Sequence, residues 1–353
     1  MLTRENFIKY AQNFCYWCEY PAVKYKVMID FLDVPYHDES LAKMRKGFLK
    51  SDIVIELRDT QDYNGTWGKL FSVVDKKPEM KTKFTRTTMS ALARCVYIGL
   101  RIEDESDILT LALEHLEDIL KDKSYSLLRK YSSGNNERLV PWNLSSVAAM
   151  AEAISPNNYN SLCDDLYNQW TYIAICAFEN GEYSHERDKK AQHELFGTHE
   201  DRLIPLPLGL LLSRRRNISE SFENSMCDYY GKSAYEHGYF WAIPLDKIAE
   251  NPPDFVDKYT QRYFPVIDYI NQFKNTRRYL DGAIEWLERN KNQDNLWDFG
   301  PQVSFDPWGA WRYFSTNKSH KYNRTVNCTM EVLSVFKKYL DNNDIIGSNI
   351  YEH

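Results

Sequence analysis

One polar stretch, ENGEYSHERDKKAQHELFGTHEDRLIP, gathers His185, His193 and His199 with Glu186, Asp188, Glu194, Glu200 and Asp201. Imidazoles and carboxylates are the side chains that ligate transition metals or move protons near neutral pH. The spacing makes no zincin helix, because Phe196-Gly197 and Arg202-Leu203 stand where H-E-x-x-H requires its second histidine. For His199 and Glu200 two readings stand side by side. They form a catalytic acid-base pair, the carboxylate tuning the imidazole at the expected start of a helix, or they do the ordinary polar work of capping and loops.

The other clusters point to structure rather than chemistry. Cys15-Tyr-Trp-Cys18 is the only close cysteine pair, with no βαβ pattern around it and no second C-x-x-C to complete a zinc site, so core packing is expected. Asp164-Asp165 sits inside a helical segment and reads as a solvated face. Cys227-Asp228 with His237 is the only other local group of zinc-ligand types. His237 has aromatic company that walls a pocket or fills core, and His115 lies on an apolar stripe as a core histidine would. No G-x-S-x-G, P-loop or dinucleotide fingerprint occurs, and no metal or cofactor is expected.

The elements that hold these residues are helical. Gly 14 and Pro 13 among 353 residues are roughly 8 per cent of the chain, against an ordinary ~12 per cent, too few for the turns of a sandwich or barrel. Apolar residues recur at helical spacing, most clearly at Ile108, Leu111, Ala112, His115, Leu116, Ile119 and Leu120. The pattern predicts helices near 6–19, 22–32, 39–60, 85–100, 106–122, 143–154, 157–179, 203–213, 217–232, 259–273, 277–291 and 324–341. Short connections make antiparallel hairpins, and six in succession suggest a ring or superhelix.

Charge and length bound the partners. A net charge of −6 with interspersed signs leaves no broad positive field for nucleic acid, and Arg214-Arg215-Arg216 reads as the basic end of a helix. No run approaches 18 apolar residues, so no membrane span is expected. Seven cysteines with no apolar leader segment suggest free thiols and a cytoplasmic protein of unknown oligomeric state.

Segments 56–68, ELRDTQDYNGTWG, and 288–300, ERNKNQDNLWDFG, each end an amphipathic helix with Gln-Asp, then Asn, an aromatic and Gly, and 179–183 is a weaker copy. Gln61-Asp62-Tyr63-Asn64-Gly65-Thr66-Trp67 resembles the Q-x3-G-x-W core of the QW repeat of squalene-hopene and oxidosqualene cyclases. Gln293-Asp294-Asn295-Leu296-Trp297 lacks its Gly. The order DVPYHDES, LRDTQDYNGTWG, GTHEDRLIPLPL, QDNLWDF and KYNRTVNCTMEVL is similar to bacterial cyclase-like proteins of about this length.

The resemblance implies an all-α fold, an α/α-toroid ((α/α)6 barrel) forming a single domain over 1–353. It does not carry the chemistry across, because the D-x-D-D of class II cyclases and the D-D-x-x-D of class I enzymes are both absent. It makes the helices after the QW-like turns the inner ones, whose starts nominate cavity residues. The substrate-binding candidates are therefore Arg86, Trp142, Asn143, His193, Arg202, Arg262, Tyr263, Arg324 and Asn327, with Thr87 and Cys328 beside them and His199 and Glu200 as the catalytic pair. The expected function is binding of a small, partly apolar molecule, isoprenoid-like, in an aromatic-rich cavity, with acid-base chemistry. The alternatives are a non-catalytic interaction scaffold and a glycan-active (α/α)-barrel, the latter needing two facing carboxylates.

Overall fold

A computed structural model of the chain describes residues 2–71, 87–104, 107–131, 140–156, 158, 160–198, 218–232, 248, 250, 252–257, 260, 263–274, 276–301, 314 and 320–348. The described residues form helices and connections, with no strand among them. The expected all-α class is observed, and no described helix is long and apolar enough to cross a membrane.

Helix ends follow capping chemistry. Helix α1 (Arg4–Trp17) starts where the Thr3 hydroxyl accepts the Asn6 N–H. Helix α2 (Pro21–Lys26) has proline in its first turn and runs on into a π-helical turn over Val27–Phe31, where the Leu32 N–H reaches the Val27 carbonyl. The long helix expected over 39–60 is two. Helix α3 (Glu39–Leu49) ends before Ser51, whose extended backbone restarts the chain as α4 (Asp52–Asp59), its carbonyl accepting from Val54 and Ile55. Serine followed by aspartate is a helix-start signal that the apolar periodicity had masked.

Two helices lie where the periodicity predicts none. After α5 (Thr88–Tyr97) and α6 (Asp107–Lys121), the Asp122 carboxylate accepts N–H groups from Ser124 and Leu127 and opens α7 (Ser126–Tyr131). Helices α8 (Val140–Ile154) and α9 (Asn160–Ala177) follow, and then the histidine-rich stretch itself is helical as α10 (His185–Phe196). Ser184 caps α10 by accepting the Arg187 N–H, Glu186 and Asp188 occupy its first turn, and left-handed Gly197 ends it. These end signals are legible in the residues, but three apolar side chains in twelve give no stripe to find. The chain continues through α11 (Glu220–Lys232), α12 (Tyr263–Ile270), α13 (Arg277–Arg289) and α14 (Lys321–Ser348). The helix expected at 203–213 lies outside the described residues.

The chain divides into two compact units, one formed by residues 49–218 and the other by 1–48 together with 219–353. Within 49–218, α8 packs on α5, α6, α7 and α9, while α10 packs along α9. The centre of that packing is Trp170, fully buried, whose indole N–H donates to Ser145 Oγ at 2.5 Å and whose ring meets Trp142 and Phe196. Within the other unit, α14 packs against α1, α12, α13 and the π turn. Helix α1 buries Phe7, Ala11 and Phe14, the i, i+4, i+7 stripe of an amphipathic helix.

Candidate functional site

Two tryptophan turns position the best-described candidate residues. In the first, after α4, Asp62 N–H donates to Thr66 O at 2.7 Å and Gly65 N–H to Asp62 O at 2.9 Å. The Trp67 indole then donates back to the Leu57 carbonyl at 2.9 Å, and its backbone N–H to Thr88 Oγ1 at 3.0 Å. In the second, after α13, Asn292 N–H donates to Leu296 O at 2.8 Å and Asn295 N–H to Asn292 O at 3.0 Å. The Trp297 indole reaches the Leu287 carbonyl at 2.7 Å and its N–H meets Thr329 Oγ1 at 3.0 Å.

This geometry corrects the alignment of the two segments. Counted from the tryptophan, Lys291 and not Gln293 stands where Gln61 does, and Asn295 stands where Gly65 does. Both turn residues are left-handed, at φ 80° for Gly65 and 56° for Asn295. Asparagine is the residue that best tolerates this region after glycine, so the second turn keeps its shape without Gly. At position 65 only glycine fits, since a Cβ there would lie 2.3 Å from the Leu111 carbonyl oxygen.

The helix beyond each turn is also equivalent. Gln61 Nε2 donates to Ile108 O of α6 at 2.9 Å, whereas the Lys291 ammonium lies 5.5 Å from the ring centroid of Tyr10 on α1. The Tyr10 ring meets Trp297 edge-on, and the Asn13 amide of α1 donates to Asp294 O. Helix α1 thus stands to the second turn as α6 stands to the first. The weaker copy at 179–183 is built differently. Arg187 takes over the capping there, donating to the carbonyls of Cys176, Glu179 and Glu182.

The second turn delivers the chain to α14, which is buried on every side from Asn323 through Leu333. Asn323, Arg324, Asn327, Glu331 and Ser334 fall within about 100° of its circumference, so one sector of a central helix is polar. Asn323 Oδ1 accepts the Tyr20 hydroxyl at 2.5 Å, and Asn327 Oδ1 accepts the Phe314 N–H at 2.9 Å. Arg324 grips Asp298, the residue after Trp297, with Nε and Nη2 each 3.1 Å from one carboxylate oxygen. Such a fork-to-fork pair adds geometric specificity to its strength. It gives Arg324 the role of anchoring the turn. Burial, reinforced by the charges of Asp298 and Glu331, pushes the Cys328 thiol well above the ordinary thiol range. The protonated thiol is no nucleophile.

The other candidates fall as follows. Trp142 is buried in the first turn of α8, 5.6 Å from Trp170, and Asn143 beside it is half-buried. Tyr263 opens α12 and is buried with its ring 5.6 Å from Trp286. His193 is exposed. His185 lies eight residues before it on the same helix, so the two are about 12 Å apart along the axis. The polar side chains that α10 buries are Asp188 and Gln192, with Asp188 accepting the Tyr183 hydroxyl at 2.7 Å and the Gln192 amide at 2.6 Å. Their i, i+4 spacing was visible in the sequence, but nothing there marked that face as the inner one.

Asp228 accepts the Tyr279 hydroxyl and an Arg278 guanidinium N–H, and burial pushes the neighbouring Cys227 thiol up to about 12. Among the described residues, no three or more His, Cys, Asp or Glu side chains are grouped to hold a metal ion. Arg86, His199, Glu200, Arg202, Arg262, His237 and Arg214-Arg215-Arg216 lie outside the described residues.

Compared with protein-family models, with curated proteins and with solved structures, the chain matches none.

Proposed function

We propose that the chain is a terpenoid-cyclase-like α/α-toroid that takes up a small, partly apolar molecule, with the polar sector of α14 fixing the ligand's polar group. The observation that carries this reading is the burial of α14 on every side across Asn323–Leu333 while Asn323, Arg324, Asn327 and Glu331 share one sector. A helix enclosed in core is ordinarily apolar all round.

Support for a closed arrangement comes from the two tryptophan turns, because α1 occupies beside the second the place that α6 occupies beside the first. A chain whose first helix completes its last repeat is what a ring requires. His199 and Glu200 remain the proposed acid-base pair.

Native mass spectrometry of gently purified protein, followed by thermal-shift screening with isoprenoid alcohols and polyols, tests the reading. A retained small molecule, or a stabilising compound whose effect disappears in Asn327→Leu while the fold persists, is the expected result. No retained mass and no stabilising compound would favour the interaction scaffold instead.

A further inference from the structure

A separate groove lies along the exposed side of α1. Opposite its buried stripe, this helix exposes Tyr16, 89% accessible, while Ile8 and the half-buried Cys15 lie on the flank between the two faces. Helix α2 with its π turn, and then α3, come up beside this face and leave an open, mainly apolar groove of about 390 Å3. Its floor and walls include Cys15, Tyr16, Met28, Leu32 and Met44. Lys24 is the single charged residue of the lining, and it makes no ion pair with a carboxylate among the described residues.

Each part of this lining restricts the ligand. The volume lies at the lower end of the ~300–1,000 Å3 range of small-molecule sites. Two methionines supply flexible, polarisable walls suited to a chain-like apolar body. Burial raises the Cys15 thiol even against the opposing influence of Lys24, so the thiol stays neutral and the groove's net charge is that of the ammonium. Asp38, next to the groove's edge, already accepts the Ser40 hydroxyl and N–H.

We propose that this groove binds an amphipathic carboxylate with an unbranched apolar tail, of the medium-chain fatty acid class, its head at Lys24 Nζ and its tail along Met28, Leu32 and Met44. Apolar contact supplies most of the affinity, and the ammonium selects the sign of the head group.

Isothermal titration of the full chain with decanoate, decanol and decyltrimethylammonium tests the assignment. Decanoate binds more tightly than decyltrimethylammonium, and Lys24→Gln weakens decanoate ~5–10-fold, the size of one ordinary net hydrogen bond, as suits a groove open to water, while leaving decanol unchanged. Met44→Glu removes both ligands. Met44→Gln, milder at a half-exposed position, weakens both and serves if the charged variant fails to fold. Equal affinity for decanoate and decyltrimethylammonium, a Lys24→Gln protein that binds decanoate like the parent, or binding that survives the Met44 variants would each overturn the proposal. So would saturable capture of an amphipathic helical peptide with no decanoate binding.

Discussion

Thr88 and Thr329 perform the same task 241 positions apart in the chain: each hydroxyl accepts the backbone N–H of the tryptophan that closes the preceding turn, both at 3.0 Å. Thr329 lies in the enclosed part of α14 and is fully buried, so water cannot replace it. Thr329→Val preserves shape and removes the acceptor. The Trp297 N–H is then unsatisfied, and stability falls by about 1–3 kcal/mol. Urea unfolding measures this, and Trp297→Ala, which also empties a core position, costs ~3–5 kcal/mol in the same assay.

The two left-handed turn residues respond differently to alanine. At Gly65 the new Cβ meets both an unfavourable φ and the Leu111 carbonyl, so Gly65→Ala destabilises by ~2–4 kcal/mol. At Asn295 only the φ opposes it, so Asn295→Ala costs ~1 kcal/mol and Asn295→Gly is near neutral. Equal losses in paired thermal melts would show that the Leu111 carbonyl does not crowd position 65.

Arg324→Met leaves Asp298 charged in a nearly enclosed place, and destabilises by ~3–5 kcal/mol. Removing both charges in Arg324→Met/Asp298→Leu recovers a large part of that loss, because a charge stripped of its counter-ion is the expensive state. A double-mutant cycle followed by urea midpoint gives the coupling. An additive cycle means that the pair is not what holds the turn to α14.

His115 is buried on α6, its ring 4.5 Å from that of Tyr131, and its Nε2 has no hydrogen-bond partner among the described residues. Burial lowers its pKa, Asp118 opposes the shift and Lys130 adds to it. A histidine with a lower pKa folded than unfolded takes up more protons on unfolding, so stability falls as pH drops below about 6.5 and is complete above it. The urea midpoint falls between pH 7.5 and pH 5, with a smaller fall in His115→Phe.

Thiol accessibility follows burial. Cys15 and Cys176 are half-buried, whereas Cys18, Cys95, Cys163, Cys227 and Cys328 are buried, and all are free. A thiol reagent modifies the first two in the native protein and the remaining five only on unfolding, as mass spectrometry of labelled peptides will read. Cys328 is the slowest, being both enclosed and held protonated.

The residues carried much of the local structure. The stripe through Ile108, Ala112, His115, Leu116 and Ile119 is the buried face of α6, because a 3.6-residue period in side-chain chemistry becomes a direction in space as soon as the backbone is helical. Helix α10 was less legible, since its start and stop are written in Ser184, Glu186, Asp188 and Gly197 rather than in apolar periodicity. The candidate site was legible only as a set of types. Arg324 and Asn327 were nominated by their place at a helix start, but the bidentate partner of Arg324 is 26 residues away across the second turn.

By itself, therefore, the sequence determined that this protein is helical, where most of its helices run and that tryptophan punctuates two of the turns, since propensity, capping and periodicity act over a few residues. Only the tertiary structure decided that Lys291 and Asn295 are the counterparts of Gln61 and Gly65, that Asp298 takes up the charge of Arg324, and that α1 stands beside the second turn as α6 stands beside the first. Those relations join residues tens to hundreds of positions apart, and packing, not local preference, selects them.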